Sequence, residues 1–157
     1  MIKKFTPCFA FIASVLSASG ALSDEFGNAT QAQALLKRAV GEIQIDKLKA
    51  ISQFNYNDAR FRDRDLFVFC FNRGDGKFTA HEAMVSWDVR NLRDMVGKPF
   101  GEEMYDQAKD GQVSEVTFTS PIPGTTQMAL RVAYVTAVRD QVCGVSAFRF
   151  EQLMQGK

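Results

Sequence analysis

The sequence predicts an α+β domain: one long N-terminal helix packs on a five-stranded antiparallel sheet, with a short helix between strands 2 and 3. Two observations predict this class. Apolar residues recur at helical spacing over residues 30–54, and five apolar runs then follow between residues 66 and 150. Because short turns join these runs, except where the short helix intervenes, neighbouring strands are expected to pair antiparallel.

The first 23 residues have the layout of a secretory signal peptide. Lys3 and Lys4 precede an apolar run, and the small residues Ala21 and Ser23 precede Asp24. We expect cleavage after Ser23, which divides the chain into a signal peptide, residues 1–23, and a single domain, residues 24–157. The alternative is an uncleaved membrane anchor, for which the run is short and rich in serine.

The balance of charge argues against a nucleic-acid partner. Lys3 and Lys4 are two of 19 basic residues, so the processed chain would carry 17 basic and 18 acidic side chains. Nucleic-acid binding depends on clustered Lys and Arg, and no basic block is present. No later segment approaches a membrane span, and we expect a free-standing domain in the periplasm or outside the cell.

The predicted long helix begins near Asn28 or Thr30, either of which can cap it, and ends in the polar residues 55–57. Its apolar stripe either covers one face of the sheet or, in part, pairs with a second subunit. Residues 55–65 alternate in charge and are predicted to form a solvated loop.

Turn residues separate the five predicted strands. Residues 66–71 and 77–84 form the first two, joined by a hairpin at residues 72–76 that is rich in Gly, Asn and Asp. Pro99 and the amphipathic stretch after it predict the short helix. Residues 113–119, 127–138 and 141–150 are the last three strands, with turns at residues 121–124 and 139–140.

No pattern in the chain predicts catalysis or a cofactor. The single histidine, His81, excludes a zinc site built on several histidines. A nucleophile elbow, a phosphate loop, a dinucleotide fingerprint and a Cys-x-x-Cys motif are all lacking from the sequence. Cys70 and Cys143 would reach an oxidising compartment after export and are candidates for a disulfide; the alternative is two buried thiols that pack as small apolar groups.

Several short segments occur in a recognisable order: residues 65–71 (Asp-Leu-Phe-Val-Phe-Cys-Phe), 74–77 (Gly-Asp-Gly-Lys), 79–81 (Thr-Ala-His), 92–94 (Leu-Arg-Asp), 97–100 (Gly-Lys-Pro-Phe), 131–135 (Arg-Val-Ala-Tyr-Val) and 142–146 (Val-Cys-Gly-Val-Ser). In this order they resemble the single Cache domain family, whose members are extracytoplasmic small-molecule sensors with a PAS-like fold. The resemblance implies a binding role, with a small organic ligand as the partner. It also implies that the first and last strands lie side by side, which makes a Cys70–Cys143 bridge feasible.

Arg131 is the first ligand-binding residue that the resemblance implies, because the family commonly has a basic residue in the fourth strand, followed by a tyrosine that matches Tyr134. Arginine can hold a planar carboxylate through two parallel hydrogen bonds, and a tyrosine hydroxyl can add a third. Residues three apart in a regular strand point to opposite faces, so both reach one cavity only across a bulge. The alternative for Arg131 is an exposed cation on the solvent face.

The resemblance implies further site residues. His81 either lines the ligand cavity and donates to a carboxylate or carbonyl, or is a half-buried strand histidine bonded to the backbone. Trp87 is placed at the cavity rim or packed under the short helix. Asp94 contacts the ligand or pins the loop over the cavity, and Phe69 belongs to a phenylalanine-rich strand expected to supply core and part of an apolar cavity wall.

Two departures from the family pattern bear on function. Gln112, Val113 and Ser114 stand where the family has Gly-Trp-Val, and Phe118 stands near a family tyrosine. After His81, the family's Pro and Asn are also replaced. Two functions are therefore predicted: an exported sensor domain that binds a carboxylate-like metabolite and presents it to a membrane receptor, or a homodimeric interaction protein, paired through its N-terminal helix, without a ligand.

Overall fold

A computed structural model of the protein describes residues 25–150, so the predicted signal peptide lies outside the described residues. The helices are α1 (Ala29–Ile45), α2 (Lys47–Asn55) and α3 (Phe100–Gln107). The strands are β1 (Arg62–Asp63), β2 (Leu66–Phe67), β3 (Phe69–Asn72), β4 (Phe78–Ala80), β5 (Ser114–Pro121), β6 (Met128–Val138) and β7 (Gln141–Arg149). Two short 3-10 helices, Ala59–Phe61 and Val89–Asn91, complete the list.

The main sheet is five-stranded and antiparallel, in the order β4-β3-β7-β6-β5. The predicted fold class is confirmed, including the N-terminal helical segment on the sheet and the short helix α3 between the second and third strands of this sheet. The predicted neighbours β3 and β7 pair directly. The pairing of β3 with β7 brings the two cysteines opposite each other.

The Cys70–Cys143 disulfide is formed between β3 and β7, and the two residues are register partners with Cα atoms 4.1 Å apart. Both cysteines are fully buried beneath the N-terminal helices. The structure therefore contains the predicted disulfide and not two free thiols.

The prediction of one continuous N-terminal helix is wrong, because the chain breaks at Asp46. Asn28 caps α1 through a capping box with Gln31, as its position in the sequence predicted. Asp46 then adopts an extended backbone conformation, and its side chain accepts a hydrogen bond from Lys49 N at the start of α2. A side chain that favours cap positions over helix interiors thus divides the segment into two helices.

Two local predictions also differ from the structure. The loop at residues 55–65 contains a 3-10 turn and the first strand of a small hairpin, β1 with β2. The strand predicted over residues 77–84 is only β4, because His81 Nδ1 accepts hydrogen bonds from the backbone N–H groups of Ala83 and Met84. Those bonds close a turn that ends the strand at Ala80 and places His81 just beyond it.

The sheet separates two apolar clusters. One lies under α1 and α2 and contains the buried helix residues together with even-numbered residues of β6, including Val132 and Tyr134. The other lies on the opposite face, under α3, and contains Ala133 and Val135 of the same strand. No helix within residues 25–150 is long and apolar enough to cross a membrane.

Candidate functional site

A cavity of about 220 Å³ lies between the sheet and α3. Its volume is below the range typical of drug-sized ligands and suits a small metabolite. Most of its wall is aromatic or aliphatic, and its polar groups are few. The lining residues are Phe67, Phe69, Phe78, His81, Met84, Leu92, Phe100, Met104, Phe118, Arg131, Ala133 and Ser146.

Arg131 is the cationic residue of this cavity. It lies on β6 opposite Phe148, whose ring is 4.3 Å from the Arg131 guanidinium carbon. Burial lowers the pKa of the guanidinium from its usual value, while the charge of Asp65 acts in the opposite direction. Nε of Arg131 is buried and has no hydrogen-bond partner among residues 25–150. The arginine is therefore a buried wall residue with an unused donor, and the alternative of a solvent-exposed cation does not hold.

Asp65 is the counter-ion of Arg131. Nη2 of Arg131 donates to Asp65 Oδ2 at 3.2 Å and to the Ser146 carbonyl at 3.3 Å. Only 15% and 14% of the Arg131 and Asp65 side chains are exposed, so the pair is largely desolvated. The other oxygen of Asp65, Oδ1, accepts from Gly27 N at 2.7 Å.

These bonds bear on the prediction that Arg131 holds a ligand carboxylate through two parallel hydrogen bonds. A guanidinium offers parallel donors along two edges, Nε with Nη2 and Nη1 with Nη2, and Nη2 belongs to both. Nη2 donates to both Asp65 and Ser146. A carboxylate held through two parallel bonds would therefore compete with Asp65 and Ser146 for Nη2, while Nε and Nη1 have no acceptor among residues 25–150.

His81 lies in the cavity wall as a neutral imidazole. Burial lowers its pKa to about 4. Nδ1 accepts backbone hydrogen bonds from Ala83 at 3.1 Å and Met84 at 3.2 Å, so the proton of the neutral ring is on Nε2. Nε2 has no acceptor among the described residues. His81 is therefore bonded to the backbone, as one alternative states, and it also lines the cavity; a hydrogen bond from its Nε2 to a ligand stays a prediction.

The phenylalanine wall forms around these two polar residues. Phe69 lines the cavity, as predicted, and packs edge-to-face on Phe78. Phe118, which stands near the family tyrosine, stacks on Phe100 of α3 at 4.3 Å between ring centroids. The replacement therefore exchanges a hydroxyl for apolar wall, and an open cavity is retained.

Three of the predicted site residues lie outside the cavity. Tyr134 is buried on the opposite face of the sheet, because β6 pairs with both neighbours in unbroken register and has no bulge to bring it beside Arg131. Trp87 is 62% exposed and does not line the cavity, so neither location predicted for it is found. Asp94 accepts backbone hydrogen bonds from Val96, Lys98 and Thr119.

The bonds of Asp94 agree with the prediction that it pins a loop. They fasten the turn at residues 94–98 to β5, beside the cavity residue Phe118. The bond from Thr119, together with those from Lys98 and Val96, lowers the pKa of the Asp94 carboxyl from its usual value. Asp94 is thus a structural anion in this fold.

A larger but more open depression, of about 480 Å³, lies along the outer side of α1 and is lined by residues such as Lys37, Arg38 and Arg60. No residue predicted for the site lies there. The cavity under α3 is smaller and less open, and it combines a desolvated cation with an apolar wall. No cluster of three or more acidic, histidine or cysteine side chains suited to a metal ion is found within residues 25–150.

Sequence reasoning missed Asp65, which it assigned to a solvated, charge-rich loop. Asp65 is the last residue of that loop and directly precedes the apolar run at residues 66–71. The available signal was this position: an acidic residue adjoining a buried strand can face the interior. Its partner, 66 positions away, is set only by the tertiary fold.

The fold is shared with Cache sensor domains. One similar structure is described as the periplasmic sensor domain of a chemotaxis protein; it has 15% sequence identity and a TM-score of 0.54, covering 74% of this chain and 86% of that one. Another is a Cache chemosensory domain described as a structural basis for carboxylic acid recognition, with 12% identity and a TM-score of 0.51, covering 76% and 86%. At these identities the likeness establishes the fold, and it confirms the predicted Cache resemblance at that level.

No protein-family profile matches the sequence, and no curated protein does.

Proposed function

We propose that this protein is an extracytoplasmic sensor domain that binds a small organic carboxylate in the cavity between the sheet and α3. The observation that carries the proposal is Arg131 itself: it lies in the wall of a cavity that is largely phenylalanine, and its buried Nε–H has no acceptor among residues 25–150. A buried donor without a partner is unfavourable by about 1–3 kcal/mol. A ligand that supplies an oxygen would remove that cost.

The remaining parts of the cavity fit the two ends of such a ligand. A carboxylate oxygen can accept from Nε of Arg131, and the Nε2–H of His81 is a second donor in the same wall. Phe69, Phe100 and Phe118 offer apolar contact for a short hydrocarbon tail. The neighbour described as recognising a carboxylic acid supports this choice of ligand class.

The proposed location and partner have separate support. A structural disulfide is typical of proteins in oxidising compartments, and one similar structure is a periplasmic domain. The similar structures described as a sensor domain of a chemotaxis protein and as a chemosensory domain support a role in signalling. We therefore propose that the protein with its ligand bound is presented to a membrane receptor.

The chemistry of the cavity favours binding over catalysis. A general base needs a free lone pair, but Nδ1 of His81 accepts two backbone hydrogen bonds and Nε2 carries the proton. Arg131 stays protonated and cannot serve as a base. The two polar residues are therefore donors, which suits recognition of an oxygen-bearing ligand.

A thermal-shift screen of the protein, purified from an oxidising compartment, tests the proposal with acetate, propionate, butyrate and benzoate. A ligand at about a hundred times its Kd adds about 2.7 kcal/mol to the free energy of unfolding, which raises the Tm by several degrees. We expect Arg131→Lys to abolish this shift, because lysine keeps a charge for Asp65 but lacks the Nε donor.

Arg131→Lys is preferred to Arg131→Ala because removing one partner of a buried ion pair costs about 3–5 kcal/mol and would confound the test. Arg149→Lys is the matched control, since Arg149 forms a more exposed pair with Glu115 outside the cavity. An acid that stabilises wild type and Arg131→Lys equally would contradict the assignment of Arg131. A screen in which no acid stabilises the wild type would contradict the proposed function.

A second candidate function is self-association through the helical segment. Ile45 at the end of α1 and Leu48 in the first turn of α2 are 81% and 77% exposed. Tyr56, which caps the far end of α2, is also exposed. Apolar side chains presented together on a surface are typical of interaction sites, and a second copy of this chain is the proposed occupant.

A further inference from the structure

We propose that Asp65 is the charge-selecting residue of the cavity: it competes with the carboxylate of a ligand for Arg131. This inference rests on the proposed function and concerns how the same site discriminates between ligands. It follows from the position of Asp65 on Nη2, the guanidinium nitrogen that belongs to both of the paired-donor edges.

Arg131, Asp65 and His81 together set the charge of the cavity wall. Arg131 and Asp65 are an ion pair with little solvent contact, and His81 is neutral at neutral pH. The cavity wall therefore carries no net charge from these residues. A ligand carboxylate that approaches Arg131 meets the negative charge of Asp65 at the same guanidinium, and like charges in a desolvated site oppose each other.

Asp65 also limits the hydrogen-bond donors that Arg131 can offer to a ligand in parallel. With Asp65 and Ser146 on Nη2, Arg131 can offer a ligand single bonds from Nε or from Nη1, and a neutral carbonyl can accept such a bond as well as a carboxylate can. Because Nη2 belongs to both paired edges, a carboxylate gains two parallel donors only by sharing Nη2 with Asp65 and Ser146 or by displacing one of them. Asp65 thus reduces the preference of the site for acids over their uncharged amides.

Asp65 also contacts the backbone that precedes α1. Its Oδ1 accepts from Gly27 N at 2.7 Å, and Gly27 has no room for a side chain because a Cβ there would lie 2.3 Å from Leu66. Arg64 adds a bond from Nη1 to the Phe26 carbonyl. Asp65 therefore bridges Arg131 and the backbone that precedes α1, and the Gly27 amide reports any change in the partner of Asp65.

Asp65→Asn tests the proposal with near-identical shape. The asparagine carbonyl can still accept from Gly27, but its NH2 faces Nη2 of Arg131 and gives no acceptor and no negative charge. We expect benzoate or the best acid of the series to bind at least about tenfold more tightly to the variant by calorimetry, equivalent to 1.4 kcal/mol. The corresponding amide should bind with unchanged affinity.

The matched control is Asp63→Asn, because Asp63 lies in the same small hairpin but pairs with Arg64 at the surface. It should leave the Kd values of both acid and amide as in wild type. If the wild type binds acids and Asp65→Asn binds them equally or more weakly, the role of Asp65 is overturned and the proposed function stands. If neither the wild type nor the variant binds any acid, the proposed function fails with it.

A measurement on the wild type covers the case in which Asp65→Asn does not fold. Amide NMR of labelled protein should show a shift of the Gly27 resonance on adding the acid, and no comparable shift on adding its amide. An acid that binds, with resonances of the cavity residues shifting while Gly27 stays fixed, would overturn the proposal.

Discussion

His81 is a half-buried imidazole whose protonation should oppose folding. Burial lowers its pKa to about 4 from 6.5, and in the folded state Nδ1 is already the acceptor of two backbone N–H groups. Between these two values the unfolded chain binds a proton that the folded chain does not, so the free energy of unfolding should fall as the pH is lowered through that window. The measurement is the Tm across this range in steps of half a pH unit.

His81→Asn isolates this contribution. The asparagine oxygen can replace Nδ1 as the acceptor for Ala83 and Met84 N–H, as in an Asx turn, but it does not titrate. The variant should therefore lose less stability than the wild type between pH 6.5 and about 4. Parallel Tm profiles for the two proteins would show that the imidazole is protonated equally in both states, contrary to this account.

At the residue scale, the sequence indicated the cavity residues by their chemistry and missed the partner that modifies them. Arg131 stood out as a cation inside an apolar strand, and the alternation of side chains warned that Tyr134 would face away. Asp65 could not be paired with Arg131 in the same way, because strand order and register determine which distant charges meet.

The disulfide is the element-scale feature with the largest expected effect on stability. It joins Cys70 of β3 to Cys143 of the central strand β7, across 73 residues of sequence. Closing a loop of that length reduces the entropy of the unfolded chain and contributes about 4 kcal/mol. We expect denaturant unfolding in the presence of reductant to give a free energy of unfolding lower by about that amount.

The Cys70→Ala, Cys143→Ala double variant is the control for this prediction, since it lacks the bridge and should not respond to reductant. Reduced wild type retains both buried sulfur atoms, so its comparison with the oxidised protein separates the bridge from the packing. Equal free energies of unfolding with and without reductant, after thiol titration has verified reduction, would contradict the prediction.

Element boundaries were predictable where periodicity or turn chemistry was strong. Asn28 as a cap and the hairpin after Asn72 both follow from residues that favour those conformations. The break at Asp46 and the early end of β4 were not predicted. Each depends on a side chain bonding the local backbone, and an apolar repeat does not record that competition.

At the scale of the whole molecule, the sheet divides the roles of its two faces. The α1 and α2 face holds a fully packed core with the disulfide, and the α3 face holds the cavity. Fold class and sheet content followed from the sequence, because alternation and turns are local. An open cavity did not, since its volume depends on how far α3 stands from the sheet, a distance set by packing of many side chains at once.

Self-association through the helical segment is the prediction that concerns the whole molecule. If the exposed Ile45 and Leu48 mark a contact with a second copy, light scattering should give about twice the mass of one chain. In a two-fold symmetric dimer a substitution enters the interface twice, so Leu48→Lys would bury two extra charges and should return the protein to a monomer. Val113→Lys is the control, because Val113 is exposed just before β5 and outside the helical segment. A wild type that stays monomeric up to high concentration would remove the second candidate function, while a dimer that also binds acids would make the helical segment the natural surface for signalling.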